Sequence, residues 1–337
     1  MPSLSDPLVT GKFELKNRIV MPPMANDMAT PDGAVTDNHI EHYSERARGG
    51  PGLVIVEHSY IMPSGRMTEK QLGIHADRLV PGLTRLAGAI REAGARCAIQ
   101  LTHAGANTDE SICDCTPAGP SELPLPGRDQ KPRALKREEI PEIIAAYESA
   151  AGRAVDAGFD TIEIHGAHGF LLNEFVSPLL NNRTDDYGGS AENRMRLPLE
   201  VIAAVLGKVG ADYPLLYRFG AGDFIEGGLD IDEARKIARA LAGAGIDILD
   251  ISGGLCGSRP KMFAGVQGFF VPLAQSIKSA VDIPVIAVGG IKDPRYANSV
   301  IIDGKADLVA VGRQMLKNPA WARDALMEIN SSGAQQQ

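Results

Sequence analysis

The 337-residue chain has only four cysteines, too few and too scattered for a disulfide framework, so a reducing cytosol is the expected compartment. It has no basic run. Its 34 Lys and Arg stand against 42 Asp and Glu, and a net charge of -8 argues against nucleic acid as a partner. No apolar run approaches the length of a membrane span, and the first residues lack the apolar core of a signal peptide. Neither a phosphate-binding P-loop nor a dinucleotide fingerprint is present. His165 and His168 have no nearby Asp, Glu or Cys to complete a metal set, and Cys113 and Cys115 have no second pair. Zinc and iron–sulfur chemistry are therefore not expected.

What is present is a composition, 44% hydrophobic and 23% charged, that suits a soluble globular protein. Eight strand-like runs, at 17–24, 52–58, 97–101, 161–166, 215–219, 247–252, 284–288 and 308–311, alternate with helical ones. The helical runs are 38–48, 76–94, 137–158, 190–209, 231–245, 270–281, 294–303 and 319–329, with Asp37 and Ser190 as N-caps and Gly94 and Gly158 as stops. Such alternation predicts parallel strands with helices outside them, and eight units without a linker predict a closed (β/α)8 TIM barrel forming one domain over 1–337. Residues 104–135 break the rhythm with Pro and Gly and no period, and are expected to be a functional excursion loop. A second polar loop covers 177–190.

In a barrel, chemistry belongs at the C-terminal strand ends. Those ends are Pro23-Met24, His58, Gln100, His165, Arg218, Asp250 with Ser252, Gly289-Gly290 and Gly312-Arg313. The central strand is the most telling: Ile162 and Ile164 alternate with Glu163 and His165, so apolar side chains face one way and polar ones the other. The same alternation turns Gln100, His165 and Arg218 inward, which suits a planar ligand rich in hydrogen-bonding groups. Ordinary polar barrel residues are the competing explanation, weakened by the completeness of the ring. Glycines after strands seven and eight let backbone N–H groups approach an anion, and Arg313 could add a fork to the same phosphate. Tight turns alone would also use glycine there.

The segments Lys-Asn-Arg-Ile-Val-Met-Pro-Pro-Met at 16–24, Ile-Gln-Leu-Thr-His-Ala-Gly at 99–105 and Glu-Ile-His-Gly-Ala-His-Gly-Phe-Leu at 163–171 point further. So do Ser-Pro-Leu-Leu-Asn-Asn-Arg-Thr-Asp-Asp-Tyr-Gly-Gly-Ser at 177–190 and Glu-Asn-Arg at 192–194. With the glycines of the last two strands, the chain resembles the Old Yellow Enzyme family of FMN-dependent oxidoreductases from about Leu15 to Leu326. The resemblance implies non-covalent FMN across the barrel mouth. It places Pro23, Met24 and Ala25 beside the flavin ring, the backbone around His58 in support, and Gln100 and Arg218 on the pyrimidine side. It gives the phosphate to Gly289, Gly290, Gly312 and Arg313. His165 and His168 match the pair that grips the carbonyl oxygen of an activated alkene, with NADH or NADPH as reductant in the same pocket. A homo-oligomer is expected.

Two positions depart from the family pattern, and a third expectation concerns extent. The usual proton-donor tyrosine is Phe170, which has no proton to give, leaving Tyr60, His58, Asp27 or water as substitutes. Ala25 stands where relatives often carry a flavin-tuning Cys or Thr. The larger relatives' cysteine cluster and extra nucleotide-binding domains are not expected. Three functions compete: NAD(P)H-driven ene reduction, amine dehydrogenation with a separate electron carrier, and a non-redox barrel acting on a phosphorylated sugar.

Overall fold

The computed structural model describes residues 2–334. Eight parallel strands close into a barrel: β1 (Ile19–Met21), β2 (Leu53–Tyr60), β3 (Arg96–Thr102), β4 (Thr161–Gly166), β5 (Leu215–Gly220), β6 (Ile248–Ser252), β7 (Val285–Ala287) and β8 (Leu308–Ala310). Each pairs with its chain neighbour, and β8 pairs with β1 to close the ring. Between and after them run α1 (Asp37–Arg48), α2 (Val80–Glu92), α3 (Ile140–Asp156), α4 (Arg196–Val209), α5 (Ile231–Gly243), α6 (Val271–Lys278), α7 (Pro294–Ile302) and α8 (Trp321–Ala334). Among the described residues no helix is long and apolar enough to cross a membrane.

The expected alternation of strand and helix is the alternation found. The differences are local. Thr36, not Asp37, is the N-cap of α1, because Thr36 is extended while Asp37 is already helical. Helix α8 runs Trp321–Ala334 rather than 319–329. A two-residue strand pair, Leu8–Val9 with Glu14–Leu15, and the short helix Leu171–Val176 were too brief to leave a period in the sequence. The excursion at 104–135 holds a one-turn helix, Glu110–Cys113, and a parallel pair, Ala118–Gly119 with Arg133–Ala134.

Helix starts and stops have side-chain causes. Ser190 Oγ accepts from Asn193 N, and Asp230 Oδ1 accepts from Glu233 N at the head of α5, filling donors that the first turn leaves free. Helix α5 then buries Ala234, Ile237, Ala238 and Leu241, an i, i+3, i+4, i+7 stripe facing the sheet. Gly94 and Gly158 follow α2 and α3 at φ 90° and 82°, a region that side chains disfavour.

The strands sort their side chains by face. Ile162, Ile164, Leu215, Tyr217, Phe219, Leu249 and Ile251 pack outward against the helices in one large core. The interior is a separate cluster of Val20, Leu53, Ile55, Ala98, Leu216, Ile248, Ile286, Leu308 and Ala310, plugged from below by Leu8, Phe13 and Leu15 of the N-terminal strand pair. Burying each Leu or Ile in such a cluster contributes about 1.5–3 kcal/mol. Two residues further along β3, β5 and β6, Ala98, Leu216 and Ile248 give way to Gln100, Arg218 and Asp250. The interior therefore changes from apolar to polar at one level, toward the C-terminal ends.

Asp223 ties the loops there. Its buried carboxylate accepts from Ser177 Oγ at 2.7 Å, Leu229 N at 2.9 Å and Leu255 N at 2.8 Å, joining segments that follow β4, β5 and β6. Replacing Asp223 by Ala orphans these donors, each costing about 1–3 kcal/mol when buried. Urea unfolding of Asp223→Ala is expected to show a loss of roughly 3 kcal/mol; a loss below about 1 kcal/mol contradicts this role.

Candidate active site

Four rings meet at the mouth above β4. His165, at the end of β4, lies 5.1 Å centroid to centroid from His168 at 71°. Phe170 packs on His165 at 4.4 Å and on His58 at 5.4 Å. His168 sits in a left-handed turn, φ 61°, followed by Gly169 at φ 72°. For a histidine this conformation is strained, and it persists because neighbours hold it. His168 N donates to Gly253 O at 3.2 Å, and Asn107 Nδ2 donates to His168 O at 3.4 Å. Leu125 packs so close to Gly169 that an added Cβ would lie 3.1 Å from its Cδ2. The excursion loop thus braces the histidine turn. Its own start is fixed by buried Glu174, which accepts from Ala106 N at 2.7 Å.

Burial holds both imidazoles neutral. It pushes the His165 and His168 pKa values well down, with the Arg218 charge adding to the effect on each. His165 Nδ1 is sealed inside the protein with no partner. An orphaned acceptor costs less than an orphaned N–H, so the proton belongs on Nε2. His168 uses Nε2 toward Ser252 Oγ at 2.7 Å, which leaves Nδ1 for a ligand.

His58 follows a β-bulge in β2 at Glu57. Its tautomer can be traced bond by bond. Met67 N must be a donor, and it meets Gln71 Oε1 at 2.6 Å. Gln71 Nε2 therefore donates, to His58 Nδ1 at 2.7 Å and to His58 O at 3.0 Å. His58 is then neutral with its proton on Nε2, and burial lowers its pKa. Glu57 itself turns away to accept from Asn26 N at 3.2 Å and to meet His39 Nε2 at 3.0 Å, anchoring the chain that leaves β1. Of the other candidate proton sources, Tyr60 stacks on His75 at 4.7 Å, and Asp27 is exposed and accepts from Thr68 Oγ1. Neither shares a ring contact with the Phe170 cluster.

Below this rim lies the polar floor. Gln100 Nε2 donates to Glu163 Oε1 at 2.7 Å, and Arg218 Nη1 stands 3.3 Å from Asp250 Oδ2, all four side chains buried. On the opposite wall, Gly289 and Gly290 follow β7 with φ 119° and 68°. A Cβ on Gly290 would lie 3.2 Å from Arg313 Nη2, and one on Gly289 would lie 2.8 Å from Phe270 N. Gly312, after β8, similarly leaves room for Met24, whose Sδ would be 2.6 Å from a Cβ there. Pro23 and Met24 are half-buried and Ala25 is exposed.

Every residue singled out from the strand ends therefore lies at one end of the barrel. Sequence reasoning missed Gln71, Ser252 as the partner of His168, and the pairing of Glu163 with Asp250. The inward register of Glu163 and the strand-end place of Asp250 and Ser252 were visible beforehand, but not their partners.

Comparison with known proteins agrees with this architecture. Residues 3–331 match the family described as NADH:flavin oxidoreductase / NADH oxidase. An NADH oxidase of Thermoanaerobacter brockii is 43% identical over 320 residues, 94% of this chain and 49% of that protein. An NADPH dehydrogenase of Listeria monocytogenes is 39% identical over 320 residues, 94% of this chain and 92% of that one. Among solved structures, a 2-naphthoyl-CoA reductase in complex with 2-naphthoyl-CoA superposes with TM-score 0.91 at 28% identity, covering 97% of this chain and 52% of that one. The chain spans about half the length of that enzyme and of the Thermoanaerobacter protein. An Old Yellow Enzyme homologue of Zymomonas mobilis gives 0.85 at 30% identity, covering 97% and 93%.

Two expectations follow from the histidines. His103, at the end of β3, accepts from Gly105 N at 3.0 Å, and burial lowers its pKa to about 4. An unfolded chain binds that proton near pH 6.5, so this contribution is full above 6.5 and falls as pH drops toward 4, by roughly 3 kcal/mol. His42 and His75 are lowered to about 4 as well, so the drop in urea midpoint across that window should be smaller in His103→Gln than in the wild type; equal drops would contradict it. For His58, nitrogen-15 NMR of the wild type should show Nε2 protonated and Nδ1 bare, and Gln71→Glu, which sets a carboxylate against Nδ1, should raise its pKa; a protonated Nδ1 in the wild type contradicts the assigned tautomer.

Proposed function

The chain belongs to the NADH:flavin oxidoreductase / NADH oxidase family, the Old Yellow Enzymes, and from that membership we propose that it reduces C=C bonds conjugated to a carbonyl, using FMN and NAD(P)H. The observation that carries this reading is the neutral imidazole pair, with His165 Nε2 and His168 Nδ1 as the nitrogens left for a ligand oxygen. With the proton of His165 on Nε2, and Ser252 Oγ donating to His168 Nε2 so that Nδ1 carries the other, two neutral donors polarise a carbonyl without the desolvation cost of a buried cation.

The site residues fit FMN. The positive-φ glycines after β7 bring Arg313 close to a backbone that no side chain shields from within, the setting a phosphate needs, with Phe269 packed against the same turn. Gln100 and Arg218 supply an amide and a guanidinium on the inner wall, suited to the pyrimidine carbonyls. Pro23, Met24, Ala25 and the backbone around His58 would border the ring, and Gly289, Gly290, Gly312 and Arg313 would hold the phosphate. Bound there, FMN supplies hydride from reduced N5, which NADH or NADPH has charged. His165 and His168 orient the acceptor and take up the negative charge that grows on its oxygen. Arg218 counters charge on the reduced ring.

Phe170 removes the acid that would protonate the α-carbon. His58, locked as a neutral Nε2–H donor, is a poor acid at neutral pH, so this proton comes from water. The 2-naphthoyl-CoA bound by one structural relative has a carbonyl conjugated to its ring, in keeping with a carbonyl-gripping pair. Phe170 also favours a second reading, amine dehydrogenation with electrons passed to a separate carrier.

The test is an anaerobic spectrum of the holoenzyme, bleached with NADPH or NADH and mixed with cyclohexenone. Return of the yellow colour is expected, faster in Phe170→Tyr by up to roughly 10², the lower range of general-acid effects. Flavin that stays reduced in both proteins overturns ene reduction and turns attention to amines.

A further inference from the structure

The polar floor leaves carboxylate oxygens without a directed donor, although the Arg218 Nε–H is also buried without a partner. Glu163 Oε2, Asp250 Oδ1 and Asp250 Oδ2 are each sealed from solvent and have no hydrogen-bond donor. Because these atoms are covered by protein, a ligand in the mouth cannot supply the missing hydrogens. Gln100 Nε2 serves Glu163 Oε1 only, and the Arg218 guanidinium faces Asp250 at 3.3 Å without forming a well-directed hydrogen bond. Glu163 and Asp250 are within hydrogen-bonding reach of one another. Two carboxylates in that contact would repel, and each buried charge costs several kcal/mol.

One proton resolves two of the three oxygens and leaves the third to the Arg218 charge. We infer that Glu163 is a neutral carboxylic acid whose Oε2–H donates to Asp250, so that the floor is a neutral acid, one carboxylate and one guanidinium with no net charge. The proton falls on Glu163 because the Arg218 guanidinium stands 3.3 Å from Asp250, whereas the direct partner of Glu163 is the neutral Gln100 amide and the Arg218 charge reaches it only at longer range. Burial raises the pKa of both groups, and that of Glu163 well above the ordinary range. Glu163 and Asp250 are positioning residues. Asp250 holds and partly offsets the Arg218 charge that faces the bound flavin, and Glu163 holds Asp250 below and Gln100 beside it. The inference rests on FMN binding but not on the identity of the electron acceptor.

The experiment uses holoenzyme in three forms: wild type, Glu163→Gln, and Glu163→Gln combined with Asp250→Asn. Infrared spectra in H2O and D2O should show the carbonyl stretch of a buried protonated acid in the wild type that is missing from Glu163→Gln. Glu174, also buried with a raised pKa, gives a second band that persists. The flavin midpoint potential should stay at the wild-type value in Glu163→Gln, since a neutral amide replaces a neutral acid. It should rise in the double variant, where Arg218 loses its anion and the negative charge of reduction is better stabilised. The single variant alone removing Asp250 is less informative, because Glu163 could then ionise in its place.

Three results would overturn the inference. One is an infrared spectrum with no band assignable to Glu163. Another is a potential that rises already in Glu163→Gln, which would mean that Glu163 is charged. The third is a double variant whose potential matches the single one. None of these readouts involves an enone, so failure of the proposed acceptor chemistry leaves them unaffected.

Discussion

Exclusion of water from the barrel interior is the constraint on which the site depends. An apolar plug from the N-terminal strand pair closes one end, and the aliphatic layer of Leu53, Ile55, Leu216, Ile248 and Ile286 lies above it. Anything polar on top of that layer must find its partners within the protein or in a ligand. Gln100 with Glu163, and Arg218 with Asp250, meet part of that demand by pairing across neighbouring strands, and the proton inferred on Glu163 meets more of it. Their strand positions make this possible, since Gln100 is in register with Glu163, and Arg218 with Asp250.

The same exclusion of water sets the state of the histidines. In water an imidazole near neutral pH is divided between two charge states; here burial and the Arg218 charge favour the uncharged one for His165 and His168. Their useful direction is then decided by what occupies the other nitrogen. Ser252 takes one face of His168, and the protein wall takes one face of His165. His58 is fixed in the same way by Gln71, whose own orientation is dictated by a backbone N–H of Met67. Each ring is neutral, and the nitrogen each leaves free is set by its neighbours.

Phe170 gives this member of the family its own character. Its ring lies between His58 and His165, where it contributes packing but no proton. The change swaps a hydroxyl for a hydrogen on the same ring skeleton, so the surrounding rings need not move. Such a substitution removes a proton donor from the ring cluster without altering His165 or His168.

Much of this was legible in the residue order. The period-two alternation at Ile162–His165, the switch to helical spacing after each strand, and the glycines after the last two strands determined the barrel and the end at which polar residues gather. Long segments such as 163–171 and 177–190 carried the family resemblance. Strand pairs of two residues left no signal, because a period needs several residues to show. Nor could the sequence reveal that Glu163 and Asp250, 87 positions apart, share a hydrogen bond, or that Gln71 fixes the proton of His58. Alternation determines which face a side chain takes, and that is a local property of the strand. Which nitrogen holds a proton, and which carboxyl is charged, depends on distances between strands and on burial, and these exist only once the barrel has closed.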